Sequence, residues 1–234
     1  MVEKQPSFSL VTSPPSTLGD VAKALGMVAI VATVLFFIAT QIWADKSGLS
    51  EKDALHLSLV LELAMIGSVW IFCLRKYDES WKILGLATPI FSRLSLTLIV
   101  ITISVILSAI YVSVVDILGY EWLKPEPLIS EGSKSVAFNL YLFISIVIVA
   151  PFAEEVFFRG FMLPVLANKW GFISGALISS LIFALAHGAP GIIVPAFLSG
   201  LLFAYLYRHT GSLWNTCIAH GAQNALAFTA ITLM

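Results

Sequence analysis

From residue 21 to residue 233 the chain is a succession of apolar runs separated by short polar breaks. They lie at about 21–43, 54–74, 94–118, 136 onward, 172–187, 192–207 and 213–233. A helix needs about 20 apolar residues to cross a hydrocarbon core ~30 Å thick. The pattern therefore predicts an all-α, polytopic transmembrane bundle of about seven helices, or eight if one is short or broken. Runs five and six are the short ones, expected to be tilted or incomplete. Composition points the same way. The 234 residues are 59% hydrophobic and 12% charged, against about 45–50% and 25% in soluble domains, and a core of this size cannot hide that much apolar surface.

Residues 1–20, with Pro6, Pro14, Pro15 and several Ser and Thr, read as a mobile N-terminal tail. Residues 21–135 hold three spans with their loops, and residues 136–234 hold the remaining four. The first run is too long for a signal-peptide core and no small-residue cleavage site follows it, so it reads as a retained span. Trp81–Leu86 reads as a short interfacial element anchored by its tryptophan. Assigning each Lys and Arg to a side puts nine on the side of the N-terminus and four opposite. By the positive-inside rule the N-terminus is cytoplasmic. A net charge of −1 offers no basic field for nucleic acid. Cys73 and Cys217, both in apolar runs, indicate neither a disulfide framework nor a cysteine zinc site.

Charge inside an apolar run costs a few kcal/mol and by default marks function. The fourth run ends in Ala150-Pro151-Phe152-Ala153-Glu154-Glu155-Val156-Phe157-Phe158-Arg159. Pro151 is expected to kink this helix. Glu155 and Arg159 are i and i+4 and can pair. Glu154 lies about 100° round the helix, which leaves one carboxylate neutralised and the other uncommitted. The fifth run closes with Phe183 and His187 on one face, and the seventh carries His220 and Asn224 on one face. If the chain reverses near Trp170, Glu154 and His187 fall at the same depth. Straight helices leave His220 about 12 Å from that level, a difference that a non-helical Gly188–Pro195 stretch is expected to absorb.

Glu-Glu-x-x-x-Arg, Phe-x-x-x-His and His-x-x-x-Asn, in that order on three apolar helices, resemble the CAAX-protease and bacteriocin-processing (CPBP, or Abi) family of intramembrane proteases. The resemblance covers roughly residues 136–232, and Trp81–Leu86 also resembles an element of that family. It implies peptide-bond hydrolysis in the membrane, with Glu154, Glu155, Arg159, His187, His220 and Asn224 as the catalytic set. Phe158 and Phe183 are the candidates for substrate contact. Water held between Glu154 and His187 would be deprotonated by the carboxylate, and His220 and Asn224 would donate to the developing oxyanion. Glu154, His187 and His220 are also the candidate ligands for zinc or another divalent metal. No His-Glu-x-x-His is present, which favours metal-free hydrolysis. The implied partners are the bilayer and a peptide, either a prenylated CAAX tail or a bacteriocin-like substrate. The implied location is a membrane crossed several times, the plasma membrane if the cell is bacterial.

A non-proteolytic role stands as the alternative, either an immunity or scaffold protein or a proton-coupled carrier. The repeated halves expected of a carrier are not seen. Outside the motifs, Glu62 reads as a hydrogen-bonded acid of the bundle interior and Asp116 as a near-interface acid. His56 and His209, at span ends, read as solvated.

Overall fold

The computed structural model describes residues 14–46, 50–87, 91–125 and 135–232. Most of the expected tail, and Glu126, Glu131 and Lys134 of the loop before the fourth run, lie outside the described residues. Seven helices and no strand are present among those residues. They are α1 (Leu18–Lys46), α2 (Glu51–Val69, carried on by a π-helical stretch Trp70–Arg75), α3 (Leu94–Leu118), α4 (Val136–Trp170), α5 (Phe172–Ala186), α6 (Pro190–Thr210) and α7 (Leu213–Thr232). The protein is an all-α polytopic bundle and an integral, multi-pass membrane protein.

Local chemistry sets the helix ends. Thr17 and Asp20 cap α1 reciprocally: the Asp20 carboxylate accepts from Thr17 N at 3.0 Å, and Thr17 Oγ1 accepts from Asp20 N at 3.3 Å. The helix therefore starts at Leu18, three residues ahead of the apolar run. Asp20 also accepts from Lys76 Nζ at 2.6 Å and Tyr77 Oη at 2.7 Å, which pins the start of α1 to the end of α2. Ser135 caps α4, its hydroxyl accepting from Phe138 N at 3.2 Å.

Five helices, α1, α2, α3, α4 and α6, are long and apolar enough to cross a membrane. The seventh is kept out of that set by polar residues such as Asn215, Thr216, His220, Gln223 and Asn224. The fifth has 15 residues, as short as its run suggests. The sixth has 21 and is a full span, contrary to expectation. Pro190 sits at its first turn, where a missing N–H costs nothing, and Pro195 follows within the same helix. The stretch from Gly188 to Pro195 is therefore broken only at Gly188 and Ala189 and does not provide the non-helical spacer expected of it.

The centre of the bundle is α4. Its residues Val156, Phe157, Phe158, Phe161, Met162 and Leu163 head a core completed by Met65 and Val69 of α2, Phe183 of α5 and Tyr207 of α6. In contrast α1 and α3 turn large apolar side chains outward, among them Phe36, Phe37, Ile106 and Ile110. That arrangement would be costly in water and costs nothing against lipid. The Trp81–Leu84 turn packs beneath α4, held by Tyr207 Oη donating to Leu84 O at 3.2 Å and Leu213 N donating to Gly85 O at 3.0 Å.

Candidate active site

Two π-helical stretches, Ser145–Val149 and Val156–Met162, interrupt α4, and each ends just before a proline. Ala150 N donates to Ser145 O, five residues back. The next bond in that register would reach Ile146 O, but Pro151 has no N–H to give. A free carbonyl in hydrocarbon must find a donor, and Asn224 Nδ2 of α7 donates to Ile146 O at 3.0 Å. Leu163 N likewise donates to Phe158 O ahead of Pro164. The expected kink at Pro151 is thus a widened turn, capped from another helix.

That cap brings α7 against α4. At Gly221 a β-carbon would stand 2.5 Å from Val147 O, so only glycine permits this approach. His220, one residue before it, is delivered to the two glutamates. We predict that Gly221→Ala destabilises the bundle by about 1–3 kcal/mol, the usual cost of overpacking. Reversible unfolding in bicelles would measure it, and wild-type stability would mean that α7 does not rest on Val147.

The two glutamates have different surroundings. Glu155 is fully buried, and its Oε1 accepts from Arg159 Nη1 at 2.8 Å and faces His220 Nδ1 at 3.0 Å. Arg159, also 0% exposed, is held over the Phe183 ring at 4.3 Å and donates through Nη2 to Gly200 O at 3.4 Å. Glu154 has no bond to Arg159. Its Oε2 faces His220 Nε2 at 3.5 Å. An ionised Glu155 can only accept, so His220 Nδ1 carries a proton, which fixes Nε2 as the ring nitrogen that faces Glu154. The Phe203 ring stacks on His220 at 5.1 Å and fixes its plane. The asymmetry expected from sequence is present: one carboxylate is clamped and one is left to the imidazole.

The other site residues are placed as follows. His187 donates through Nδ1 to Phe183 O at 2.9 Å, which leaves Nε2 uncommitted. It is not within ion-pair distance of Glu154. The two imidazoles flank Phe183, with ring centroids 4.8 Å from it for His187 and 5.7 Å for His220. Phe158 meets Phe183 edge-on at 5.2 Å, and both are buried, so they form the floor of the site. His220 stands at the carboxylates and Asn224 on a backbone carbonyl, where the sequence reading had both turned toward an oxyanion. Asn224 keeps a second amide N–H for that use.

Among the described residues no three His, Cys, Asp or Glu side chains are gathered closely enough to hold a metal ion. The set Glu154, His187 and His220 is not assembled, and the Arg159 cation beside Glu155 opposes a divalent ion. The donors as placed do not fit a metal.

Residues 136–226 match the Rce1-like family, described as type II CAAX prenyl endopeptidase Rce1-like. The match spans α4 through most of α7 and contains Glu154, Glu155, Arg159, Phe183, His187, His220 and Asn224. A stretch of 77 residues is 35% identical to a putative membrane peptidase, YdiL, of Bacillus subtilis, covering 33% of this chain and 32% of that protein. A stretch of 157 residues is 30% identical to a membrane-embedded CAAX protease, MroQ, of Staphylococcus aureus, covering 64% and 57%. An uncharacterized 24.3 kDa protein of Escherichia coli is 32% identical over 105 residues, covering 42% and 48%. The chain thus spans between a third and somewhat over half the length of these relatives. No solved structure matches it.

Several residues near the site carry no motif signal. Phe203 and Gly200 of α6 hold His220 and Arg159 but look like ordinary apolar and small residues in the sequence. Gln223 of α7 donates to Ser199 Oγ at 2.9 Å, bridging α7 to α6. Glu62 is inside the bundle as expected, but its Oε2 is buried without a hydrogen-bond partner. Asp116 pairs with Lys124 at the end of α3, and His56 and His209 are exposed, as their span-end positions suggest.

Proposed function

We propose that this chain is an intramembrane endopeptidase in which Glu154 activates water for attack on a peptide carbonyl. The observation that carries the reading is the division between the carboxylates. Glu155, bound to Arg159 and His220, is an orienting group, whereas Glu154 meets only an imidazole nitrogen. Two carboxylates held apart in environment are the usual basis for acid and base roles.

The steps follow from these contacts. Glu154 takes one proton of the water as its oxygen bonds to the carbonyl carbon, and the carbonyl π electrons move to oxygen. Donors for that oxyanion are His187, once protonated, and the second N–H of Asn224; one such donor is typically worth about 3–4 kcal/mol. His220, with Nδ1 held by Glu155, keeps Nε2 on Glu154 and balances its charge. The intermediate collapses with the C–N electron pair leaving on nitrogen, which takes the proton back from Glu154. No metal is needed at any step, and the donor placement favours that form of the reaction.

The substrate we propose is a peptide presented from the bilayer, either a prenylated CAAX-type tail or a bacteriocin-like peptide. We also place the N-terminus on the cytoplasmic side. The test compares membrane-peptide fragments in cells carrying wild type or Glu154→Ala. Fragments are expected only with wild type, and identical fragment sets would overturn the reading. On a substrate found this way, His187→Ala is expected to lose cleavage, and exhaustive chelation is expected to leave the wild-type rate unchanged. Loss on chelation with recovery on adding Zn2+ would replace the metal-free mechanism. Nothing at the site favours the carrier or scaffold alternative, which would tolerate loss of Glu154.

A further inference from the structure

Gln223 of α7 turns a polar side chain into the bundle, and neither the sequence motifs nor the hydrolytic steps use it. Its Nε2 donates to Ser199 Oγ of α6 at 2.9 Å and reaches Ser108 Oγ of α3 at 3.5 Å. Its Oε1 is buried without a hydrogen-bond partner. A buried amide with one end unsatisfied carries a desolvation cost. An apolar side chain of the same length would serve stability at least as well, since the serine left behind can turn its hydroxyl to its own helix. The amide therefore calls for a role other than stability. Its bond to Ser199 lies one turn from a second contact between the same helices, the stacking of Phe203 on His220 at 5.1 Å. Ser199 and Phe203 are four residues apart on α6, and His220 and Gln223 are three apart on α7. Each pair thus shares one helix face in consecutive turns. Gly200, the residue after Ser199, accepts from Arg159 Nη2 through its carbonyl at 3.4 Å. A single turn of α6 meets Gln223, His220 and Arg159.

We propose that Gln223 is a positioning residue of the active site, whose bond to Ser199 fixes α6 against α7 in the register that seats Phe203 on His220. The proposal rests on the reading of Glu154 and His220 as part of a hydrolytic site. Other contacts hold α7 to its remaining neighbours. Asn224 and the close approach at Gly221 fix it against α4, and Asn215 Nδ2 donates to Thr97 Oγ1 of α3 at 2.9 Å. Around Phe203 the packing is apolar, with Leu206 of α6, Ala219 of α7 and Val100 of α3. In lipid such surfaces have no hydrophobic drive toward one another, and helices associate through packing and interhelical hydrogen bonds. Apolar packing has little directional preference, whereas the amide–hydroxyl bond is directional. Without that bond α6 can slide or turn against α7, at 1.5 Å and 100° per residue. Phe203 then leaves the imidazole face, and the ring is free to rotate away from Glu154, which it meets at 3.5 Å. Gln223 touches none of the reacting atoms and acts through Ser199 and Phe203.

The test uses the purified full chain in lipid nanodiscs and a substrate found as above. Gln223→Met keeps the length of the side chain and removes the donor, and Ser199→Ala removes the acceptor. Each is expected to lower kcat about tenfold with KM unchanged, within the ~100-fold that a misplacement of about 1 Å can cost. The double variant is expected to lose no more than either single one, because both changes remove the same bond. Solid-state NMR on labelled histidine supplies the second readout. The one-bond C–H dipolar coupling of the His220 ring is expected at its rigid value in wild type and reduced in both variants, as the ring gains freedom to rotate. Gln223→Met is expected to unfold no more easily than wild type, since it removes a half-satisfied buried amide. A wild-type kcat in either variant, or a His220 coupling unchanged by both, would overturn the proposal. So would a kcat loss that only follows a loss of stability, which would make Gln223 a structural clamp. The NMR coupling needs no substrate, so failure of this role is distinguishable from failure of hydrolysis, which would appear as wild-type cleavage by Glu154→Ala.

Discussion

Glu154→Gln is expected to lower the cleavage rate by at least about 100-fold, the lower bound for removing a general base, with little change in stability. The substitution keeps the side-chain shape, and Glu154 takes part in no buried ion pair with Arg159. Thermal unfolding in bicelles should therefore stay within about 0.5 kcal/mol of wild type, as for substitutions that break no buried network. The same change one residue on should behave differently. Glu155→Gln leaves Arg159 without its counter-charge and His220 without its anionic orienter, so it is expected to lose both activity and stability. Measuring rate and unfolding for the two variants side by side separates the chemical carboxylate from the structural one. Equal stability losses in both would mean that the division of labour between the glutamates is wrong.

Arg159→Leu is expected to have the largest effect on stability. The guanidinium is fully buried, bound to Glu155 at 2.8 Å and enclosed by the Phe183 and Phe203 rings at 4.3 Å and 5.5 Å. Removing one member of a buried pair leaves an uncompensated charge and typically costs about 3–5 kcal/mol. Pairing the change with Glu155→Leu removes that charge, so the double variant should be less destabilised than Arg159→Leu alone. A denaturant series on all three proteins measures this. A double variant worse than the single one would mean that Glu155 contributes through His220 more than through Arg159.

These expectations show which parts of the molecule were legible in the sequence. The bundle was, because lipid demands runs near twenty residues and the breaks between them are short. The Glu155–Arg159 clamp was legible too, since it depends only on helical spacing within one element. Relations between helices were harder to read. Depth arithmetic along straight helices put Glu154 opposite His187 and left His220 far off. In the structure His220 reaches both glutamates, while His187 stays beyond Phe183. Counting residues on straight helices cannot include the two widened turns of α4, nor the approach of α7 at Gly221.

The sequence cue for those turns is a pair of prolines, Pro151 and Pro164. Pro151 marked a kink. Its consequence, an orphan Ile146 carbonyl that recruits Asn224, depends on which register the preceding turn adopts. Glu62 was legible as an acid of the bundle interior, but not that its Oε2 would be buried without a partner, because that depends on what the packed helices place around it. The sixth span was underestimated because Pro190 and Pro195 read as breakers; Pro190 stands in the first turn, where a proline breaks nothing, and Pro195 is carried inside the helix.

The central claim is that the uncommitted carboxylate of α4 and the imidazole of α7 meet within the bundle. A solid-state NMR distance between the 13C-labelled carboxyl carbon of Glu154 and the 15N-labelled Nε2 of His220, in lipid, tests it most directly. The 3.5 Å oxygen–nitrogen contact predicts a carbon–nitrogen separation below about 5 Å, within direct or single-water hydrogen-bonding reach. A separation well beyond about 7 Å, more than one bridging water can span, would contradict the account.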